Sequence, residues 1–143
     1  MNDVAIADLI PHQGGMCLLE RVIAFDDARV RCATATHRSV DNPLRRDGRL
    51  AAVHLCEYGA QAMAVHGGLL ARRAGAAARP GLLVSLRGVS FAVDHVDALP
   101  GELVVEAERL VESESSWQYA FRVLHDDRIV CEGRAAVMMA AGV

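Results

Sequence analysis

The sequence predicts an α+β fold in which an antiparallel β-sheet wraps around one long central α-helix. Three observations predict it. The 24 residues Leu50–Arg73 contain no proline and are apolar on almost every side, as expected of a helix enclosed by protein. The segments that follow change to the two-residue period of strands. Pairs that favour turns, Pro100-Gly101, Ser115-Ser116 and Asp126-Asp127, separate those strands. A sheet closed around the helix is the arrangement that buries a rod of this kind.

Taken in order, Val4–Ile10 reads as a short amphipathic helix stopped by Pro11. After the turn Pro11–Gly15, the run Cys17–Phe25 reads as a strand, Asp26-Asp27 as a turn, and Val30–Thr36 as the hairpin partner. Arg38–Arg49, polar and holding Pro43 and Gly48, reads as a loop. The central helix Leu50–Arg73 would reach about 36 Å at 1.5 Å per residue, with Gly59 and Gly67-Gly68 as points that could bend or shorten it. Leu82–Val93, Glu102–Glu114, Ser116–His125 and Arg128–Ala140 then read as strands. In the second of these Leu103, Val105, Ala107 and Arg109 share one face, and Val104, Glu106, Glu108 and Leu110 the other. This order of elements is that of the hotdog fold, here as one domain over residues 1–143.

Composition narrows the class of function. Hydrophobic residues make up 52% of the 143 and charged residues 23%, which suits a folded domain with a substantial core. Aromatic residues are 4%, so that core must rest on Ala, Val and Leu. A formal net charge of -3 gives no basic field, which argues against nucleic acid as a partner. Cys17, Cys32, Cys56 and Cys131 lie far apart, without zinc spacing, and read as small hydrophobes in a reducing compartment. The start Met1-Asn2-Asp3-Val4 lacks the basic and apolar regions of a signal peptide, and no apolar run reaches the roughly 20 residues of a membrane span. A cytoplasmic location is expected.

The chemistry is sought on the central helix, where His54, Glu57 and Gln61 are the informative polar residues. At about 100° per residue, Glu57 lies about 60° and Gln61 about 20° from His54, a narrow polar stripe on an apolar rod. A solvated helix face would carry several Lys, Arg and Glu, and here the basic residues wait until Arg72-Arg73. Glu57 is therefore the candidate acid, Gln61 its candidate support, and His54 either a base or a hydrogen-bonded packing residue. The second candidate base is His12, in Pro11-His12-Gln13-Gly14-Gly15-Met16, where Gly14 and Gly15 let the backbone turn closely beside a bound group. His37, His66, His95 and His125 have no motif around them and read as structural or surface residues. No nucleophile elbow, P-loop or dinucleotide fingerprint is present.

Three segments together resemble the 3-hydroxyacyl-ACP dehydratases of fatty-acid synthesis. They are Leu9–Val22, with its Leu-Ile-Pro-His opening and Glu20-Arg21-Val22; the helix segment Glu57–Ala64; and Phe91 through Leu99-Pro100-Gly101-Glu102-Leu103 into Arg128–Met139. The detail at Glu57-Tyr58 is most similar to the divergent dehydratase-like proteins of aryl-polyene gene clusters. The resemblance places Glu57 on the family's catalytic acid and Gln61 on its supporting glutamine. The backbone amides of Ala52 and Val53 fall where the family polarises the thioester carbonyl, a role that suits free N–H groups at a helix start. One departure stands out. The ordinary enzymes carry a histidine, in a Gly-His-Phe-Pro loop, fourteen residues before the acid; here that position is Pro43, in Asn42-Pro43-Leu44-Arg45.

Three functions follow as expectations. The first is dehydration of a 3-hydroxyacyl thioester on acyl carrier protein to the trans-2-enoyl form, with Glu57 serving the hydroxyl and His12 or His54 taking the α-proton. The second is hydrolysis of an acyl thioester, for which hotdog thioesterases also use a helix carboxylate. The third is a non-catalytic subunit paired with an active dehydratase. A homodimer or a heterodimer with another hotdog subunit is expected, with no cofactor and no metal.

Overall fold

The computed structural model describes residues 5–10, 14–76 and 81–139. Within them six strands form one antiparallel sheet: β1 (Arg21–Phe25), β2 (Arg29–Thr34), β3 (Gly81–Phe91), β4 (Leu103–Glu112), β5 (Ser116–His125) and β6 (Arg128–Met139). Their spatial order is β1-β2-β4-β5-β6-β3. A helix, α1 (Leu55–Arg73), packs across β2, β4 and β5, on the sheet's inner face. This is the α+β hotdog arrangement.

The alternation read in the sequence sets that inner face. Leu103, Val105 and Ala107 of β4 are buried, as are Phe121 and Val123 of β5, while Glu106 and Glu108 point outward. Against them α1 places Leu55, Tyr58, Ala62, Met63, Val65 and Leu69. The expectation of an Ala, Val and Leu core needs one amendment. Tyr58, Tyr119 and Phe121 are among its largest fully buried side chains, so half of the chain's six aromatic residues lie in the core.

The helix differs from its predicted extent at one end. Leu50 and Ala51 are extended and pair with the segment before β4, where Val96 N–H donates to Leu50 O at 3.0 Å and Ala51 bridges His95. A 3₁₀ turn, Ala52–His54, follows, and α1 proper begins at Leu55. Its 19 residues span about 28 Å. The glycines do not interrupt it. They let neighbours approach, because a Cβ on Gly59 would stand 2.5 Å from the Phe121 ring and one on Gly68 2.8 Å from the Leu9 carbonyl oxygen.

Two further expectations contract. Of the predicted helix Val4–Ile10, the described part holds only a 3₁₀ turn at Ile6–Asp8, too short to sustain α-helical bonding. Of the predicted strand Cys17–Phe25, only Arg21–Phe25 joins the sheet. Side chains satisfy the backbone before it: Gln61 Oε1 accepts from Leu18 N–H, and the Thr34 and Thr36 hydroxyls donate to Leu18 O. The Asp pairs do make turns. Asp26 Oδ1 accepts from the Ala28 and Arg29 amides, and Asp126 and Asp127 adopt φ of 50° and 63° in the tight β5–β6 hairpin. No helix among the described residues is long and apolar enough to cross a membrane.

Candidate active site

Glu57 lies in the first turn of α1, half-buried, and Gln61 one turn later with no exposed surface. The Gln61 amide joins three groups. Its Nε2 donates to Met16 O at 2.6 Å and to Glu57 Oε1 at 3.4 Å, while its Oε1 accepts from Leu18 N–H at 2.9 Å. The glutamine therefore clamps the Gly14–Leu18 segment to the helix beside the acid, a larger role than orienting a carboxyl. A leucine of similar volume would leave one donor and one acceptor of the backbone unpaired.

The opening turn is built for that proximity. Gly14 sits at φ 57°, in the left-handed region, and opens a 3₁₀ turn over Gly14–Met16. A Cβ on Gly15 would be 3.9 Å from Pro43 Cδ, so this turn stands against the loop that carries Pro43. His12 itself lies outside the described residues.

A second network holds that loop. Tyr58, next to Glu57 and fully buried, shares a hydrogen bond with Thr36 Oγ1 at 2.9 Å and accepts from Asn42 Nδ2 at 3.0 Å. Asn42 Nδ2 also donates to Thr36 O, and Asn42 Oδ1 accepts from Leu44 N–H. Burial, the larger influence, pushes the Tyr58 hydroxyl above the ordinary phenol range, against the lowering effect of its two bonds. It stays protonated and serves as a fixed strut. Sequence reasoning missed Tyr58, Thr36 and Asn42, since the contacts that define them span 16 and 22 positions.

The helix start corrects one expectation. The Ala52 N–H donates to Asp94 O at 2.8 Å and is not open to a substrate carbonyl. Val53, the other residue of the predicted pair, is 57% exposed. The His54 side chain is half-buried and makes no hydrogen bond to Glu57 or Gln61 among the described residues. The structure thus joins Glu57 to Gln61, and Gln61 to Met16 and Leu18, the residues that follow Gly14 and Gly15.

Of the histidines read as structural or surface residues, two are hydrogen-bonded in the interior and His95 is exposed. His66 Nδ1 meets Tyr119 Oη at 2.8 Å and its Nε2 meets Asp26 O at 3.0 Å. His37 Nε2 meets Leu99 O at 2.9 Å. Burial lowers the pKa of both rings. The four cysteines are free thiols; Cys32 and Cys131 are fully buried, with burial pushing each up to about 12. Cys17 and Cys56 are only half-buried.

A half-buried helix carboxylate on a hotdog scaffold, held through Gln61 to the segment after a glycine turn, is the candidate site. The chain belongs to the ApeP-like dehydratase family, whose model matches residues 4–142. No curated protein matches it. Among solved structures it is similar to the dehydratase heterocomplex ApeI:P from Xenorhabdus doucetiae, at 24% identity and a TM-score of 0.86, over 96% of this chain and 92% of that one. It is also similar to a thioesterase family protein from Silicibacter pomeroyi, at 17% identity and a TM-score of 0.67, over 96% of each chain. A hypothetical thioesterase with coenzyme A from Streptococcus pneumoniae TIGR4 follows, at 13% identity and 0.60, over 84% of each. At these identities the structural likenesses speak for the fold.

Proposed function

We propose that the chain dehydrates a 3-hydroxyacyl thioester, carried on acyl carrier protein, to the trans-2-enoyl form, and does so paired with another hotdog subunit. The observation that carries this reading is the Gln61 clamp, which holds the Glu57 carboxyl against the Gly14–Leu18 segment. The reaction needs an acid at the departing hydroxyl, a donor at the thioester carbonyl and a base at the α-carbon. Glu57 protonates the hydroxyl and the Val53 amide receives the carbonyl. The base is assigned to His12, three positions before Gly15, which lies near Pro43, the position where the ordinary enzymes carry their histidine.

Pairing is supported by β3. It forms one edge of the sheet and is exposed along nearly its whole length, with Leu82, Val84 and Phe91 open to solvent. A long apolar edge of this kind is a template for another strand. The ApeI:P structure, similar in fold, is itself a heterocomplex.

The test is turnover of 3-hydroxyacyl-ACP by the purified protein, alone and with its native-host hotdog partner, followed as loss of water by mass spectrometry. Glu57→Gln should lower the rate by about 10²- to 10⁴-fold. His12→Ala should lower it comparably, and His54→Ala should leave it within about threefold. Release of free acid in place of an enoyl thioester would overturn dehydration in favour of hydrolysis. Full activity of Glu57→Gln in the pair would make this chain the non-catalytic subunit.

A further inference from the structure

We propose that the β3 edge selects the edge strand of a different hotdog chain, one that sets a carboxylate against Arg87 and Arg134, over a second copy of this chain. The inference rests on the subunit pairing above and names its recognition chemistry.

The argument starts on the outer face of the sheet. There the arginines of β1, β2 and β5 have acids beside them: Arg21 with Glu102, Arg29 with Glu108, and both Arg31 and Arg122 with Glu106. The pattern fails at the β3 end. Arg87 of β3 is directly opposite Arg134 of β6, so two like charges face each other on neighbouring strands, an unfavourable pairing. Neither has a carboxylate within 4.0 Å among the described residues. Both line an open groove of about 540 Å³ with Ser90, Arg122 and Glu132. Glu132 lies between Ser90 of β3 and Arg122 of β5, opposite each, and Arg122 is also paired with Glu106. The uncompensated charge therefore sits on the strand whose other side is open.

Now consider what could occupy that side. If β3 paired antiparallel with a copy of itself about the middle of the strand, the two Arg87 side chains would share one face within about 8 Å. Each brings its Arg134, and the copy adds no acid in that position. A different strand presenting an aspartate or glutamate there would cover the same apolar edge and answer both guanidinium groups.

The chain itself supplies the probe. A double variant, Arg87→Glu with Arg134→Glu, keeps a like-charged cross-strand pair but reverses its sign. Isotope-labelled wild type mixed with this variant is read by native mass spectrometry at low salt. The expected result is a mixed dimer enriched about tenfold over its statistical share, with the enrichment lost as salt is raised. Statistical mixing, or a preference of the wild type for itself, would overturn the proposal. Tightening of wild-type self-association by inorganic phosphate at constant ionic strength would also overturn it, by putting a small anion between the arginines. A Val84→Pro variant, at the bulge where β3 and β6 slip register, keeps the two failures apart. If it abolishes dimers while mixing is statistical, only the charge selection fails. If dimers survive it, the edge-pairing reading is what fails.

Discussion

At Gln61 a single amide joins three backbone or side-chain groups, and its loss should be felt in two ways. Gln61→Leu leaves Leu18 N–H and Met16 O buried without partners, and stability should fall by about 2–3 kcal/mol in urea denaturation. On the proposed function it should also lower kcat more than KM, because it disturbs the position of Glu57. Its neighbour Tyr58 acts through position alone. Tyr58→Phe keeps the ring and removes the hydroxyl shared with Thr36 and Asn42, at a cost of about 1–2 kcal/mol. Gly59→Ala would push a methyl into the Phe121 ring, itself fully buried, and should cost about 1–3 kcal/mol. Of these residues the sequence marked Glu57 and Gln61, since a polar stripe on an apolar helix is visible in one dimension. Tyr58, Thr36 and Asn42 were not legible, because the bonds that give them meaning join β2, the loop and the helix.

Among the elements, α1 is tied to the sheet near its far end by His66, whose ring lies edge-on to Tyr119 at 5.7 Å between centroids. The neutral ring satisfies both neighbours, with one nitrogen donating to Asp26 O and the other accepting from the Tyr119 hydroxyl. Burial lowers the pKa of His66, and of His37 where it bonds the Leu99 carbonyl, below the value of the unfolded chain. The unfolded state then binds more protons in acid. Stability from these two rings is complete above the unfolded value of about 6.5 and is lost as pH falls below it. Tm should accordingly drop between about pH 7.5 and 5.5, and His66→Gln should flatten part of that drop while lowering Tm at the upper end. A slope unchanged in His66→Gln would show that this ring does not set the acid response.

For the whole molecule, protection is uneven by construction. β4 and β5 lie mid-sheet beneath α1, whereas β3 has one strand neighbour and little cover. Hydrogen exchange on the isolated chain should therefore be slowest in β4 and β5 and fastest in β3. Addition of a strand partner should protect β3 more than any other strand, and equal protection throughout would argue against pairing at that edge.

The sequence by itself determined the class of fold, the order of the main strands and helix, and the candidate acid on the helix. Those depend on local periodicity, proline and glycine placement, and the scarcity of charge along Leu50–Arg73. Only the tertiary structure decided where the helix begins, since pairing of Leu50 and Ala51 with the strand-like segment at His95 overrides their helical pattern. It also withdrew the Ala52 amide from the site, assigned Gln61 to the Gly14–Leu18 segment, and brought Arg87 face to face with Arg134. Each of these is set by a partner far away in the chain, and a pattern read along one dimension carries no record of it.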